Sequence, residues 1–214
     1  MTGPVWAIVV AGGVGTRFGA AKQWSPLAGR RVIDWSVAAA AEACDGVVLV
    51  VPLDDVGRDD LPSGCSVVSG GATRSASVRA GLAAVPSDAA IVLVHDAARP
   101  LASGDLFRRM AAAINGGAPA ALAAVPVTDT IKRVGPDGRV VATPDRAELW
   151  AAQTPQAFRA AVLRAAHACG ADATDDAALV EALGHPVIVV MGEVANRKIT
   201  DPDDLVVAEA LLGR

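Results

Sequence analysis

The first strand-like run of the chain stops at a cluster of glycines. Residues 5–10 are apolar and mostly β-branched, and the next nine residues, AGGVGTRFG, contain four glycines. Glycine lets a backbone come close to a ligand and turn its N–H groups toward it. Arg17 and Lys22 follow within the same segment. Backbone amides beside two cations predict an anion site, for which a nucleoside triphosphate is the first candidate ligand.

The spacing of these glycines argues against two common nucleotide motifs. A dinucleotide fingerprint requires Gly-x-Gly-x-x-Gly and an acidic residue about 20 positions on. Here Gly19 comes one residue late, and Asp34 lies inside a predicted helix. A P-loop requires Gly-Lys-Ser/Thr, which does not follow. For this loop alone, a tight strand-to-helix turn with solvated cations stays open as the alternative.

Length and charge limit the class of protein. The chain has 214 residues, a mean hydropathy of +0.40 and a net charge of −4. These values predict one domain, residues 1–214, with a substantial buried core. The acidic balance argues against nucleic acid as a partner, so local cations must hold any anionic substrate.

Neither a membrane segment nor a disulfide framework is predicted. The apolar runs are shorter than the ~20 residues that a bilayer requires. Residues 1–10 do not resemble a signal peptide, so we expect a cytoplasmic protein without a membrane partner. Cys44, Cys65 and Cys169 are far apart and lack metal-ligand spacing, which predicts buried, reduced thiols.

Strand-like and helix-like segments alternate along the chain, which predicts an α/β fold with a doubly wound, mostly parallel sheet. The predicted strands are 5–10, 46–51, 66–69, 91–94, 120–125 and 187–191. The predicted helices are 32–43, a segment ending at 84, one beginning near 103, 158–168, 175–183 and 202–212. Ser103, Thr174 and Asp201 are the predicted N-caps, and Pro202 suits the first helical position.

A hairpin interrupts this alternation. Residues 130–134 and 139–143 are β-prone and flank the turn-forming sequence GPDG. The pattern predicts a β-arm that projects from the domain over about residues 129–150.

Candidate chemical groups follow two of the predicted strands. Asp96 comes at the end of strand 91–94, where ligands bind in open parallel sheets, and a carboxylate there suits Mg²⁺ shared with phosphates. A turn cap is the alternative role for Asp96. His95 is interpreted as a hydrogen-bonded structural residue. Lys198 lies between the last strand and the last helix and can reach the same edge.

A second glycine turn, Gly70-Gly71, precedes Arg74 and Ser77. These two side chains suit contacts to a base or a ribose. No His/Asp relay accompanies Ser77, so a serine hydrolase is disfavoured.

Taken together, the motifs resemble those of the 2-C-methyl-D-erythritol 4-phosphate cytidylyltransferases. The matching segments are AGGxGxR at 11–17 with KQ at 22–23, GGxxRxxSV at 70–78, HDAARP at 95–100, PVxDTIK at 126–132, DR at 145–146, LWxxQTPQ at 149–156 and NxKIT at 196–200. Ala21 stands where that family usually has proline, which predicts a looser loop without loss of a functional group.

The resemblance implies an α/β nucleotidyltransferase that joins CTP to 2-C-methyl-D-erythritol 4-phosphate and releases pyrophosphate in non-mevalonate isoprenoid biosynthesis. It implies catalytic roles for Arg17, Lys22 and Lys198, and Mg²⁺ on Asp96. The implied nucleotide contacts are Ala11, Gly12, Gly13, Gly15, Gly71, Arg74 and Ser77. The implied acceptor contacts are Arg99, Thr130, Arg146 and Thr154. It also implies a homodimer in which the β-arm brings Thr130 and Arg146 to the neighbouring chain's acceptor phosphate.

Two other functions stay open. A cytidylyltransferase for another polyol phosphate, such as ribitol 5-phosphate, would share the glycine loop, the lysine and the aspartate. A non-catalytic nucleotide-binding subunit is the second alternative, but it predicts loss of Lys22, Asp96 or Lys198, and all three are present.

Overall fold

The computed structural model describes residues 3–12 and 21–213. Within them the strands are β1 (Val5–Val10), β2 (Pro26–Leu27), β3 (Arg30–Arg31), β4 (Gly46–Val51), β5 (Ser66–Ser69), β6 (Ile91–Asp96), β7 (Ala120–Pro126), β8 (Arg133–Val134), β9 (Val140–Ala142), β10 (Trp150–Arg159) and β11 (Val187–Met191). The helices are α1 (Val32–Ala43), α2 (Arg74–Ala84), α3 (Gly104–Asn115), α4 (Ala160–Ala168), α5 (Asp176–Ala182) and α6 (Pro202–Leu212). Single 3-10 turns cover Lys22–Trp24, Leu53–Asp55 and Arg146–Glu148.

In the described part of the chain, seven strands form one sheet in the order β11-β7-β10-β6-β1-β4-β5. Neighbouring strands pair in parallel, except that β10 runs antiparallel to both β6 and β7. This arrangement confirms the predicted doubly wound, mostly parallel α/β fold.

The core lies on both faces of the sheet. Along β1, Ala7 and Val9 pack with α1 and α3, whereas Ile8 and Val10 pack with residues of α2, α4 and α5. Successive strand residues point to opposite faces, so burial on both faces requires every residue of the strand to be apolar. The continuous apolar runs of β1 and β4 follow from this requirement.

The predicted start of the fourth helix is wrong. The helix predicted over 158–168 begins at Ala160, because Phe158 belongs to β10 and pairs with Val92 and Ala120 on the two neighbouring strands. Hydrogen bonding on both edges of β10 outweighs the helical propensity of its alanines.

Smaller details also differ from the prediction. The N-cap of α5 is Asp175, whose carboxylate accepts from the Ala178 amide at 2.9 Å, and not Thr174. The strands of the β-arm, β8 and β9, are shorter than predicted, although they pair with each other as expected. Cys44 and Cys65 are half-buried and Cys169 is exposed, so the predicted burial of all three thiols is wrong.

Among the described helices, none combines the length and the apolar character that crossing a membrane requires.

Candidate active site

A cavity of about 300 Å³ opens at the carboxyl ends of β1 and β6. Eight of the residues that the sequence predicts as functional line it: Ala11, Gly12, Lys22, Gly71, Arg74, Ser77, Asp96 and Lys198. Carboxyl-end crevices are the usual ligand sites of open α/β sheets. Gly13, Gly15 and Arg17 lie outside the described residues.

Asp96 joins the two sides of this cavity. It ends β6, and its Oδ1 lies 3.1 Å from Nε of Arg74 while its Oδ2 lies 2.6 Å from Nζ of Lys198. Burial alone would raise the pKa of Asp96, but the charges of Arg74 and Lys198 outweigh burial and hold that pKa well below its usual range. Asp96 is therefore a carboxylate anion with cations on both oxygens.

Lys22 begins the 3-10 turn that follows the first glycine loop. Its Nζ donates to the Ile199 carbonyl at 2.7 Å, and Ile199 is the residue after Lys198. Both lysines are thus held at the same cavity, beside the one strand-end carboxylate that lines it among the described residues. Clustered cations on low-dielectric walls favour a polyphosphate there.

The second glycine turn is fixed by Ser77. The hydroxyl of Ser77 accepts from the Gly71 amide at 3.2 Å and donates to the Thr73 carbonyl at 3.0 Å. A Cβ on Gly71 would lie 2.5 Å from the Cβ of Ala76, so the close approach of turn and helix requires glycine. Thr73 caps α2 by accepting from the Ala76 amide at 3.0 Å.

His95 is fully buried behind the cavity. Its Nδ1 lies 3.1 Å from the Thr154 hydroxyl, which accepts from the Asp96 amide, and its Nε2 lies 3.2 Å from the Arg99 carbonyl. These partners fit a neutral ring that accepts at Nδ1 and donates at Nε2. Burial lowers the pKa of His95 to about 4. The geometry agrees with the structural role predicted for His95.

A second cavity, of about 240 Å³, adjoins the first and shares Arg74, Asp96 and Lys198 with it. Arg99 and Thr154, two of the predicted acceptor contacts, line this cavity. The Arg99 guanidinium donates to the carbonyls of Asn196 and Ala152 at 2.8 and 3.2 Å. The shared residues therefore stand between two spaces, each of which can take a ligand.

Thr130 and Arg146 lie in the β-arm and line neither of these two cavities. Both are exposed, and Nη1 of Arg146 donates to the Thr128 carbonyl at 2.8 Å. Within one chain, the structure does not bring these two predicted acceptor contacts to the site.

Two buried residues behind the site were missed from the sequence. Asp176 pairs with Arg74, with 2.8 Å between Oδ2 and Nη1, and its Oδ1 accepts from Nε2 of His167 at 3.0 Å. In the sequence, Asp176 is the second residue of the helix predicted over 175–183, a position where an acidic residue is usually interpreted as stabilising the helix N-terminus.

The fold and the site together define an α/β nucleotidyltransferase. The sheet is mostly parallel, and the cavity lies beside a glycine turn with cations clustered around one strand-end carboxylate. The family model of 2-C-methyl-D-erythritol 4-phosphate cytidylyltransferase (IspD) matches residues 5–214. The chain belongs to this family.

Similar proteins agree with this assignment. The chain is 47% identical, over 96% of its length and 96% of the relative, to 2-C-methyl-D-erythritol 4-phosphate cytidylyltransferase of Prochlorococcus marinus (strain MIT 9313). It is 51% identical, over 97% of its length, to the bifunctional enzyme IspD/IspF of Anaeromyxobacter dehalogenans (strain 2CP-C), of which it spans 57%.

Solved structures show the same fold. The 4-diphosphocytidyl-2C-methyl-D-erythritol synthase of Anaerococcus prevotii DSM 20548 superposes with a TM-score of 0.86 at 31% identity, covering 99% of each chain. The 2-C-methyl-D-erythritol 4-phosphate cytidylyltransferase of Thermus thermophilus gives 0.82 at 36% identity, covering 97% of this chain and 98% of that one.

Proposed function

We propose that the protein joins CTP to 2-C-methyl-D-erythritol 4-phosphate, giving 4-diphosphocytidyl-2-C-methyl-D-erythritol and pyrophosphate, in non-mevalonate isoprenoid biosynthesis. The observation that carries this proposal is the pair of adjoining cavities that share Arg74, Asp96 and Lys198. One cavity suits the nucleotide and the other the acceptor, so the two reacting phosphates would meet at the shared charges.

The reaction needs no covalent enzyme intermediate. An oxygen of the acceptor phosphate forms a bond to the α-phosphorus of CTP, and the bond from that phosphorus to the bridging oxygen of pyrophosphate breaks. A phosphate monoester is already an anion at neutral pH, so no general base is required. The Ser77 hydroxyl is engaged with Gly71 and Thr73, which suits a structural role rather than nucleophilic attack.

Positioning and charge neutralisation then provide the rate enhancement. Lys22 and Lys198 would stabilise the negative charge on the phosphates in the transition state, together with Arg17. Before the substrates bind, the Ile199 carbonyl holds the ammonium group of Lys22 and Asp96 holds that of Lys198, so both cations already lie at the cavity.

The residues of the site fit a magnesium ion that arrives with the triphosphate. Asp96 is the one carboxylate among the described residues that line the first cavity, and no group of three metal-ligating side chains occurs in residues 3–12 and 21–213. Mg²⁺ commonly takes one or two carboxylates plus substrate phosphates and water. Asp96 would hold the ion, and the bound ion would neutralise phosphate charge.

The β-arm supports a homodimer. Its strands β8 and β9 pair with each other, and the side chains of Val134, Val140 and Val141 are more than half exposed. A two-stranded hairpin is marginal in water without a covering surface. We propose that the arm packs on a second copy of the chain, which would bring Thr130 and Arg146 to the partner's acceptor phosphate.

The cytoplasm is the proposed location of the protein.

Pyrophosphate release with each nucleoside triphosphate and each polyol phosphate tests the reaction. The expected result is Mg²⁺-dependent release that requires CTP and methylerythritol phosphate together. Equal release without an acceptor, or preference for ribitol 5-phosphate, would contradict the proposed substrate pair.

A further inference from the structure

Asp176 is a charged residue in the protein interior that the proposed chemistry does not use. It begins α5, and its relative exposure is 0%. A buried carboxylate is costly unless it is paired and hydrogen-bonded. Both of its oxygens are satisfied, one by Arg74 and the other by His167. The free-energy cost of burying Asp176 is therefore offset by these two contacts, and one of its partners, Arg74, lines the first cavity.

His167 orients this carboxylate without adding charge. Its ring is buried on α4, Nε2 lies 3.0 Å from Oδ1 of Asp176, and Nδ1 has no hydrogen-bond partner among the described residues. A proton on Nδ1 would leave a buried donor unpaired, so the arrangement fits a neutral ring with its proton on Nε2. The negative charge of Asp176 is thus available to Arg74.

Arg74 is shared between two carboxylates. Its Nε lies 3.1 Å from Asp96, its Nη1 lies 2.8 Å from Asp176, and its Nη2 is buried with no partner in the part of the chain that the structure describes. Two fixed nitrogens set the plane of the guanidinium and leave the third nitrogen for a ligand.

We propose that Asp176 is a positioning residue that serves as the permanent counter-ion of Arg74 and so keeps Asp96 attractive to a divalent cation. Asp96 forms ion pairs with two cations, Arg74 and Lys198, and the charge of Arg99 also acts on it. With Asp176 in place, the charge of Arg74 is offset by a second carboxylate. Without Asp176, the full charge of Arg74 would add to those of Lys198 and Arg99 around Asp96 and repel a metal ion. This inference rests on the proposed function, since it assumes that CTP binds here with Mg²⁺.

The Asp176→Asn variant tests the inference, because asparagine keeps the shape and removes the charge. CTP binding is measured by calorimetry with Mg²⁺ and again with EDTA. We expect the strengthening of CTP binding by Mg²⁺ to fall on the order of tenfold, as for the loss of a charge-assisted contact. The affinity in EDTA should stay equal or rise, because the cavity becomes more positive. Asp176→Glu, which restores the charge, should recover much of the metal effect.

Loss of packing would give a different result. Arg164 offers a matched control, because its guanidinium joins α4 to the end of α2 through the carbonyls of Leu82, Val85 and Pro86. Arg164→Gln should lower the melting temperature and leave the metal effect unchanged. An unchanged metal effect in folded Asp176→Asn, or weakening of binding equally with and without Mg²⁺, would overturn the inference.

The double variant Arg74→Gln/Asp176→Asn covers the case in which Asp176→Asn alone does not fold, since it removes both charges of the buried pair. It should match Arg74→Gln in metal effect, and a further loss would show that Asp176 does not act through Arg74. None of these binding measurements requires turnover. A wild-type protein that binds CTP with Mg²⁺ but gives no pyrophosphate would contradict the proposed function alone.

Discussion

Nζ of Lys198 lies 2.6 Å from Oδ2 of Asp96, although the two residues are 102 positions apart in the chain. The contact joins the loop before α6 to the end of β6, and both residues line both cavities. It places a cation on the carboxylate proposed to hold Mg²⁺. A bound Mg²⁺ would therefore compete with Lys198 for this oxygen, and its binding would free the ammonium for the phosphates.

The first prediction concerns Asp96→Asn. An amide keeps the shape of the carboxylate but loses the charge that attracts a hard cation. We expect the Mg²⁺ concentration for half-maximal pyrophosphate release to rise by about tenfold or more. Magnesium titrations at saturating CTP measure this shift. A curve that overlays that of the wild type would remove Asp96 from the metal site and leave it as a turn cap.

Lys22→Ala should lower kcat by ~10²–10³, the effect of removing one preorganised transition-state donor. Steady-state pyrophosphate release measures kcat, and circular dichroism checks the fold. Arg108→Ala is the matched control, because Arg108 is an exposed cation that pairs with Glu42 on the helical surface. If Lys22→Ala behaves like Arg108→Ala, Lys22 has no catalytic role.

Stability should fall in mild acid because of His95. Burial lowers the pKa of His95 from 6.5 to about 4, so between these values the unfolded chain binds more protons than the folded chain. Stability is therefore lost as the pH falls from 6.5 toward 4, by ~2 kcal/mol between pH 6.5 and 5. Urea unfolding at several pH values measures the loss.

His95→Gln supplies the comparison, since glutamine can hydrogen-bond but does not titrate. The variant should be less stable at pH 7 and should show a flatter pH dependence above pH 5. Equal slopes for the two proteins would mean that other groups cause the acid sensitivity.

The proposed homodimer predicts complementation between two weakly active chains. An Arg146→Ala chain is mixed with a Lys22→Ala chain under conditions of subunit exchange. If Arg146 acts in the partner's site, each mixed dimer contains one site with both lesions and one intact site. About half of the dimers are mixed, so activity should return to about a quarter of the wild-type value. Failure to recover despite demonstrated exchange, or a monomer by sedimentation, would contradict the arrangement.

Most of the sheet could be predicted because strands buried on both faces leave a continuous apolar pattern. β1 and β4 have the predicted bounds, and β6 continues two residues beyond its prediction to Asp96. β10 was missed because the residues around Pro155, AAQTPQA, form neither a continuous apolar run nor a strict alternation, and a proline argues against a central strand. Its place between β6 and β7 is set by pairing with distant segments, which local propensity does not encode.

The site residues that lie within recognisable sequence motifs could be predicted. Lys22, Arg74 and Lys198 come from distant segments and meet at one cavity, as the carboxyl ends of parallel strands require. Asp176 and His167 were not predictable, because a buried hydrogen-bonded pair has no sequence pattern of its own. Their role appears only when α4 and α5 are packed behind α2.

β10 has a consequence for how this protein can be altered. The same ten-residue strand carries Trp150 at the foot of the arm and Thr154 against the Asp96 amide. The register of β10 against β7 shifts between Ala152 and Gln156, so the position of Thr154 depends on an irregular stretch of the strand that also carries the arm. The arm and the site therefore share one strand. A chimera that exchanges arms between relatives must exchange the whole of β10.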